Sequence, residues 1–377
     1  MAEIIPFKAL RYDPDQVKLE DVLTQPYDKI TPAMQERYYD ANRYNLVRII
    51  LGRTEPSDNR TFNVYVRAAR YARDFRQAWI LRFDQDPSIY SYSQTFTTPS
   101  GDKMERRGCI ALGRIEDYAA KVVFRHEQTL AKPKADRLEL LRATRTHFEQ
   151  LFLLYEDSGE VANLLEPQSL PTIEVADEYG VEHRVWKISD PGVISAVQRN
   201  MRDKKLVIAD GHHRYETALN YRNERRAIAA NQDPQAPYEY VMMTFVNMND
   251  PGLVILPTHR VVHSLPSFSV EIFLSAILSF FQIEEIENGH DAPNATALLR
   301  ERGHQSTALL AITAGRTFLL HSPKPEAAKF FAGLSNKEAA RTLGISEATV
   351  ERRWSVAKVR LLQMIRASSQ APNAGPS

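Results

Sequence analysis

The residues with the clearest chemical promise stand together at Asp210-Gly211-His212-His213-Arg214. A carboxylate, two imidazoles and a guanidinium follow one another around a single glycine. The apolar β-forming run Leu206 to Ala209 precedes them, and a run of helix formers follows. Read locally, this is a strand, a tight turn and a helix start. Gly211 can take the unusual backbone angles of such a turn. The first helical turn then presents N–H groups beside His212, His213 and Arg214, which suits an anion and above all a phosphate. Asp-Gly between two β-capable runs is also a hairpin signal. Against that, Glu216 to Arg226 is poor in β-branched residues, and Tyr215, Ala218 and Leu219 share one helical face. Metal binding is the weakest reading, because adjacent histidines on a helix point about 100° apart. No metal ligand is therefore assigned.

A second concentration runs through Arg125-His126-Glu127-Gln128-Thr129-Leu130 and on to Lys134-Ala135-Asp136-Arg137. His126-Glu127 opens like a zinc-protease helix, but Leu130 stands where the second histidine should be, so that motif fails. His126, Glu127, Lys134, Asp136 and Arg137 could line a site. The bland alternative is a solvated loop and helix start, which composition alone favours.

The positioning elements follow from periodicity. Ile4 to Asp13 reads as extended, broken at Pro6. Gln25-Pro26-Tyr27-Asp28-Lys29-Ile30 is a loop, and Thr31-Pro32 opens a helix with Thr31 as its cap. Asn45 to Leu51 looks like a buried strand, and Thr61 to Trp79 like an Arg- and Tyr-rich helix. Strands are expected at Ile89–Phe96, half-exposed by its alternation, and at Met104–Ile115, Leu151–Tyr155, Glu182–Ile188 and Tyr240–Met248. A helical run starts at Leu138 and leads to Thr146-His147-Phe148. Ile194, Val197 and Met201 make an apolar helical stripe leading into the central strand. Ile272 to Phe281 reads as a well-buried helix, and Ala308–Ile312 with Thr317–His321 as a hairpin about Ala314-Gly315.

The chain has 377 residues, 43% hydrophobic and 25% charged, with net charge +1. That is ordinary globular composition for two or three domains, and any nucleic-acid contact must come from a local patch. The single cysteine, Cys109, excludes an internal disulfide framework. No signal peptide and no apolar run of membrane-spanning length is evident, so a cytoplasmic protein without membrane contact is expected. Neither a glycine-rich dinucleotide fingerprint nor a Walker loop is present.

From Phe330 the character changes. Ser335-Asn336-Lys337-Glu338 is a capping box, Gly344-Ile345-Ser346 a turn, and Glu347 to Ile365 a longer helix with Val350, Trp354, Ala357 and Leu361 inward. This is a helix-turn-helix pattern. Thr349, Arg352, Arg353 and Lys358 point outward and could contact DNA bases and phosphates. A protein-docking surface is the alternative.

The segment from Gly333 to Trp354 resembles the promoter-reading C-terminal helix-turn-helix of extracytoplasmic-function sigma factors. That implies DNA or RNA polymerase as partners. The companion sigma domain is not recognisable, so a complete sigma factor is not expected. The chain from Ile5 to about His321 resembles the bacterial and archaeal domain of unknown function 1015 family. The resemblance rests on Pro6 to Tyr12, Gln25 to Asp28, Tyr44 to Arg48, His126 to Leu130, Lys134 to Arg137, Ala209 to Thr217 and Leu256-Pro257-Thr258-His259-Arg260. It departs at Gln25, where that family usually has a second proline, and at the C-terminal end. Its Asp-Gly-His-His-Arg element is similar to the phosphate-contacting element of the ParB and sulfiredoxin-like superfamily, some of whose members phosphorylate free serine.

That resemblance implies an α+β fold, with a ParB/sulfiredoxin-like mixed domain followed by an all-α helix-turn-helix. The expected division is 1–322, 328–367 and a disordered tail at 368–377. It implies ATP or ADP with magnesium as ligand, or another small molecule. Gly211, His213 and Arg214 would cradle its phosphate, with Lys134, Arg137 and His126 as further binding residues. Asp28, Glu127 or Asp210 would act as base or hold magnesium, with His212 and His213 as the other catalytic candidates. The function so implied is a nucleotide-binding small-molecule phosphotransferase, or a nucleotide hydrolase. The alternative is a ligand-sensing transcription regulator.

Overall fold

The computed structural model describes residues 1–98, 101–125, 131–231, 233–254, 262, 268–286, 292–305, 307–313 and 315–324. The expected helix-turn-helix, with Thr349, Arg352, Arg353 and Lys358, lies outside these residues, as do the tail at 368–377, His126 and Glu127, and the Leu256 to Arg260 motif. The chain divides into two compact units, Met1–Leu256 and Pro257–Ser377.

The first unit runs β1 (Ile4–Ile5), β2 (Leu10–Tyr12), α1 (Leu19–Val22), α2 (Pro32–Ala41), α3 (Val47–Ile50), α4 (Val64–Gln77), β3 (Leu81–Phe83), β4 (Ile89–Thr97) and β5 (Lys103–Arg114). It continues with β6 (Val123–Phe124), α5 (Ala131–Thr144), β7 (Leu151–Tyr155), α6 (Glu160–Leu164), β8 (Ile173–Ala176) and β9 (Glu182–Ile188). Then come α7 (Pro191–Met201), β10 (Leu206–Asp210), α8 (His212–Ile228) and β11 (Tyr240–Asn247). The architecture is mixed α and β.

The main sheet has the order β6-β10-β7-β11-β5-β4-β9-β8, with β1 also on β5. β10 with β6 and β11 with β7 are parallel, and the other pairs are antiparallel. Side chains alternate across a strand, so each strand has one set facing each way. Leu151, Leu153 and Tyr155 of β7 are buried with Val241, Met243 and Phe245 of β11 and with Leu206 and Ile208 of β10. Ile194, Val197 and Met201 of α7 and Tyr215 and Ala218 of α8 close this core. The alternate residues, among them Tyr92, Gln94, Arg106 and Phe152, face the other way and are half-buried. A second core gathers Tyr12, Ile49, Ala68, Phe75, Leu81 and Leu140, so α5 contributes to it from one flank. On its other flank α5 reaches α8, where Arg142 meets Glu224 and Lys134 meets Glu216.

Most of the expected elements are present. Thr31 caps α2, accepting from Met34 N with Pro32 in the first turn. Asn45 to Leu51 is a correction. The apolar run reads as a strand, but Val47–Ile50 is one helical turn. The cause is Asn45, which is almost fully buried. Its Oδ1 accepts from Val47 N (2.9 Å) and its Nδ2 donates to the Asp21 carbonyl (2.8 Å). This side-chain bond folds the chain into a turn before a strand can extend.

The second unit holds α9 (Val270–Ile277), β12 (Gln282–Glu285), α10 (Ala292–Gln305), β13 (Leu309–Thr313) and β14 (Arg316–His321). β13 and β14 form the expected antiparallel hairpin, with Gly315 at φ 83°, and β12 joins β14 as a third strand. The expected burial of the apolar helix is also corrected. No residue of α9 is fully buried, because only Val270, Leu274 and Ile277 pack on the small core of Phe281, Phe318 and Leu320.

Replacing Asn45 with Ala leaves the Asp21 carbonyl and the Val47 N–H without their partner. We expect a loss of about 1–3 kcal/mol in unfolding free energy by urea titration. A change below a few tenths would remove Asn45 from its place as the organiser of this turn.

Candidate functional site

Gly211 sits at φ 95°, ψ 24° between β10 and α8, which settles the local reading as strand, turn and helix. A side chain is excluded there twice over. The left-handed angle strains any other residue. A Cβ would also lie 2.9 Å from Leu151 Cδ2 and 3.2 Å from Arg214 Nε. The helix behind it has no side-chain cap and no acidic residue in its first turn. First-turn N–H groups lack intrahelical acceptors, so this end favours negative charge. Its orientation is fixed from behind. Tyr215 OH donates to the Glu116 carbonyl (2.7 Å), and the buried Arg222 donates to the Ile115 carbonyl and to Asp117.

The turn lies beside the start of β7, because β10 and β7 are antiparallel. Ile208 pairs with Leu153 and Asp210 with Phe152, so the register shifts at Ala209. Such a bulge re-aims the residues that follow it. Arg214 folds back across Gly211 and donates to the Gln150 carbonyl and to the Asp210 carboxylate. Asp210 itself is 64% exposed.

The segment before β7 supplies groups that the sequence reading did not single out. Glu149 accepts from Tyr27 N at 2.9 Å, which brings the Gln25–Asp28 loop against the turn. The Arg137 guanidinium stacks 4.0 Å from the Tyr27 ring centroid. Arg137 also donates to the Ile50 carbonyl (2.8 Å) and, through Nε and Nη2, to Asp136 (2.9 and 2.6 Å). Asp136 in turn accepts from Tyr65 OH (2.9 Å). Burial pushes the Glu149 carboxyl up, Arg214 and Arg137 pull it down, and the Asp28 charge adds to the rise. Burial pushes the His147 imidazole down to about 4.

His147, Glu149, Arg137, Arg214, Thr146 and Thr217 share a cavity of about 40 Å³ with apolar neighbours from α5 and β11. A water occupies roughly 10–15 Å³ on this measure, so a few waters or one small ion fill it. Thr217 is 4% exposed, and its Oγ has no hydrogen-bond partner among the described residues. His213 Nδ1 is likewise sheltered and unpartnered among them.

The structure thus gathers Asp28, Arg137, Asp210, Gly211, His213 and Arg214 at one end of the sheet. His212 is buried in the first turn of α8. Lys134 lies off to one side, where it and Arg125 pair with Glu216 at 2.8 and 2.9 Å. Among the described residues, no group of three or more His, Cys, Asp or Glu side chains is placed to hold a metal ion.

The motifs at this end of the sheet fall within one family match covering residues 4–353, to the family described as "Protein of unknown function (DUF1015)". The chain belongs to that family. The match also extends beyond residue 322 into the segment expected to form the helix-turn-helix. Comparison with curated proteins and with solved structures gave no match to either. No helix among the described residues is long and apolar enough to cross a membrane.

Two predictions follow from these positions. Gly211→Ala should cost about 1–3 kcal/mol of stability by denaturant titration, from left-handed strain and the contact with Leu151. The second concerns acid. The native His147 protonates only near 4, whereas the unfolded chain does so near 6.5. The unfolded state therefore takes up more protons in this window, and stability falls as pH drops from 6.5 toward 4. Glu149, raised in the native state, works in the opposite sense. His147→Gln keeps the Glu149 contribution and should show the smaller loss over that window; an identical pH profile would contradict the assignment.

Proposed function

We propose that the chain binds a phosphorylated small molecule, ATP or ADP with magnesium in the first instance, at the β10–α8 turn, and transfers a phosphoryl group to a small-molecule, serine-like hydroxyl. The observation that carries this reading is the left-handed Gly211 in front of an uncapped helix, with Arg214 on its first turn. Backbone N–H groups and a guanidinium then converge on one anion site. The strand, glycine turn and helix order is the one that the ParB and sulfiredoxin-like resemblance implies.

Magnitudes limit how the ligand sits. Pockets that enclose a drug-sized ligand hold roughly 300–1,000 Å³, and the cavity behind Arg214 has about 40 Å³. The nucleoside therefore lies outside it, over the open side of the turn. Magnesium is commonly held by one or two carboxylates together with phosphate oxygens. Asp210 and Asp28, both exposed, supply such carboxylates. Phosphoryl transfer needs positioning and charge neutralisation, plus a group to take the proton of the attacking hydroxyl. Asp28, Asp210 and Glu127 are the expected bases. Glu149 joins them, since burial moves its carboxyl toward the pH at which a base works best. His212 and His213 flank the phosphate.

The second reading is a ligand-sensing regulator that binds DNA through Thr349, Arg352, Arg353 and Lys358. It rests on the sequence pattern of Ser335 to Ile365. Salt-dependent DNA binding that disappears when the tail is removed would favour it.

Calorimetric titration of ATP and ADP, with magnesium, into the full chain and into Arg214→Ala tests the first reading. We expect binding to wild type and a loss of tenfold or more in the variant, since a hydrogen bond to a charged group contributes about 1.5–3 kcal/mol. Absence of nucleotide binding to the wild type would overturn it.

A further inference from the structure

The half-buried face of the main sheet carries a cation that the β10–α8 turn does not use. Arg106 of β5 donates through Nε to Gln94 Oε1 (3.1 Å), and its Nη2 meets the same oxygen. Among the described residues it forms no ion pair, and its Nη1 has no hydrogen-bond partner. Its guanidinium lies 4.9 Å from the Phe152 ring centroid and 5.7 Å from that of Phe96. Burial lowers its pKa. A guanidinium held among rings and a neutral amide, with no carboxylate in contact, is an incomplete arrangement, because a partly desolvated charge is normally paired.

The groups around it are all committed elsewhere. Tyr92 OH lies 2.7 Å from His183 Nδ1, and His183 Nε2 lies 3.6 Å from Asp177 Oδ2. The carboxylate beside Nε2 favours the proton there, leaving Nδ1 to accept from Tyr92. Burial pushes the His183 pKa down against the raising effect of Asp177, and Arg106 adds to the fall. Asp177 accepts from Gln25 Nε2 (3.4 Å) and from the backbone of Tyr179 and Val181. Asp250, which also acts on Arg106 electrostatically, accepts from Gly252 N and Arg107 N. Arg107 pairs with Glu105 and Glu166.

We propose that Arg106 anchors a binding site for the carboxylate of a small organic acid on this sheet face, with Phe152 and Phe96 flanking the bound group. Charge and shape select a carboxylate over a phosphate. Arg106 is a single cation, and the Asp250 charge that acts on it opposes a dianion more strongly than a monoanion. A planar carboxylate also fits beside a guanidinium among aromatic rings, with Nη1 and the unused side of Nη2 as donors. The Gln25–Asp28 loop borders both regions, with Gln25 on Asp177 and Tyr27 N on Glu149. The site does not depend on a phosphate at Arg214.

The test uses the full chain and follows the arginine Nε–Hε resonances by NMR, at constant ionic strength. The probes are acetate, lactate, benzoate and inorganic phosphate, applied to wild type, Arg106→Gln, Arg106→Lys and Arg214→Ala. The Arg106 signal is the one missing from the Arg106 variants. At least one carboxylate should shift it saturably in wild type and equally in Arg214→Ala, and phosphate should not. Carboxylate affinity, read by calorimetry, should fall about tenfold or more in Arg106→Gln. Arg106→Lys, which keeps the charge and loses the fork, should also bind more weakly. It carries the comparison if the glutamine variant does not fold. No saturable shift with any carboxylate, a shift with phosphate alone, or unchanged affinity in the folded Arg106 variants would overturn the proposal. Failure of nucleotide binding at Arg214 would leave these results as they stand.

Discussion

The antiparallel pairing of β10 with β7 is the constraint on which the rest of the candidate site depends. It sets the end of one strand beside the beginning of its neighbour. Asp210 and Gly211 thereby meet Glu149 and Gln150, which are about sixty positions away along the chain. The shift at Ala209 keeps Phe152 opposite Asp210 and leaves the Gln150 carbonyl within reach of Arg214. Without that pairing the turn would still form, but it would face no carboxylate, no buried imidazole and no loop.

How far this was legible in the sequence depends on the range of the forces involved. The β10–α8 unit was readable because its determinants are local: apolar β formers, one glycine, then helix formers with Tyr215 and Ala218 on one face. The capped start of α2 and the stripe on α7 were readable for the same reason. Asn45 to Leu51 misled because the run is apolar whichever way it folds. A single buried amide, bonding Asp21 some twenty residues upstream, decided between strand and helix. The low exposure of α9 was over-read because apolar composition does not state how large a core is available to receive it.

The grouping of the candidate residues was legible in part. Arg137 and Arg214 stand out by residue type and spacing and Asp28 through the family resemblance, and the fold brings them near one another. Glu149, His147 and Thr217 were not. Glu149 carries no local signal beyond standing two residues before a buried strand, and Thr217 is one hydroxyl within a helix. Their placement comes from strand register and from the way α5 packs between the second core and α8, which no local window contains. Arg106 shows the same limit. In sequence it is one of two adjacent arginines, and only the folded chain shows that Arg107 has acidic partners while Arg106 has an amide and two rings.

The bond between Arg214 and Asp210 has a consequence for selectivity. The arginine already has a counter-ion, tethered four positions away and therefore present at high effective concentration. Any incoming anion takes part in an exchange, releasing one carboxylate to solvent as it takes its place. Its net affinity is a difference between two ionic contacts. Dilute monoanions, whose contact is no stronger than the one displaced, gain little from the exchange. A ligand that spreads its charge over the guanidinium and the helix end together gains on both. Because Asp210 is mostly exposed, the displaced carboxylate regains its hydration at little cost, so the same pairing that screens out weak competitors does not bar a strong one.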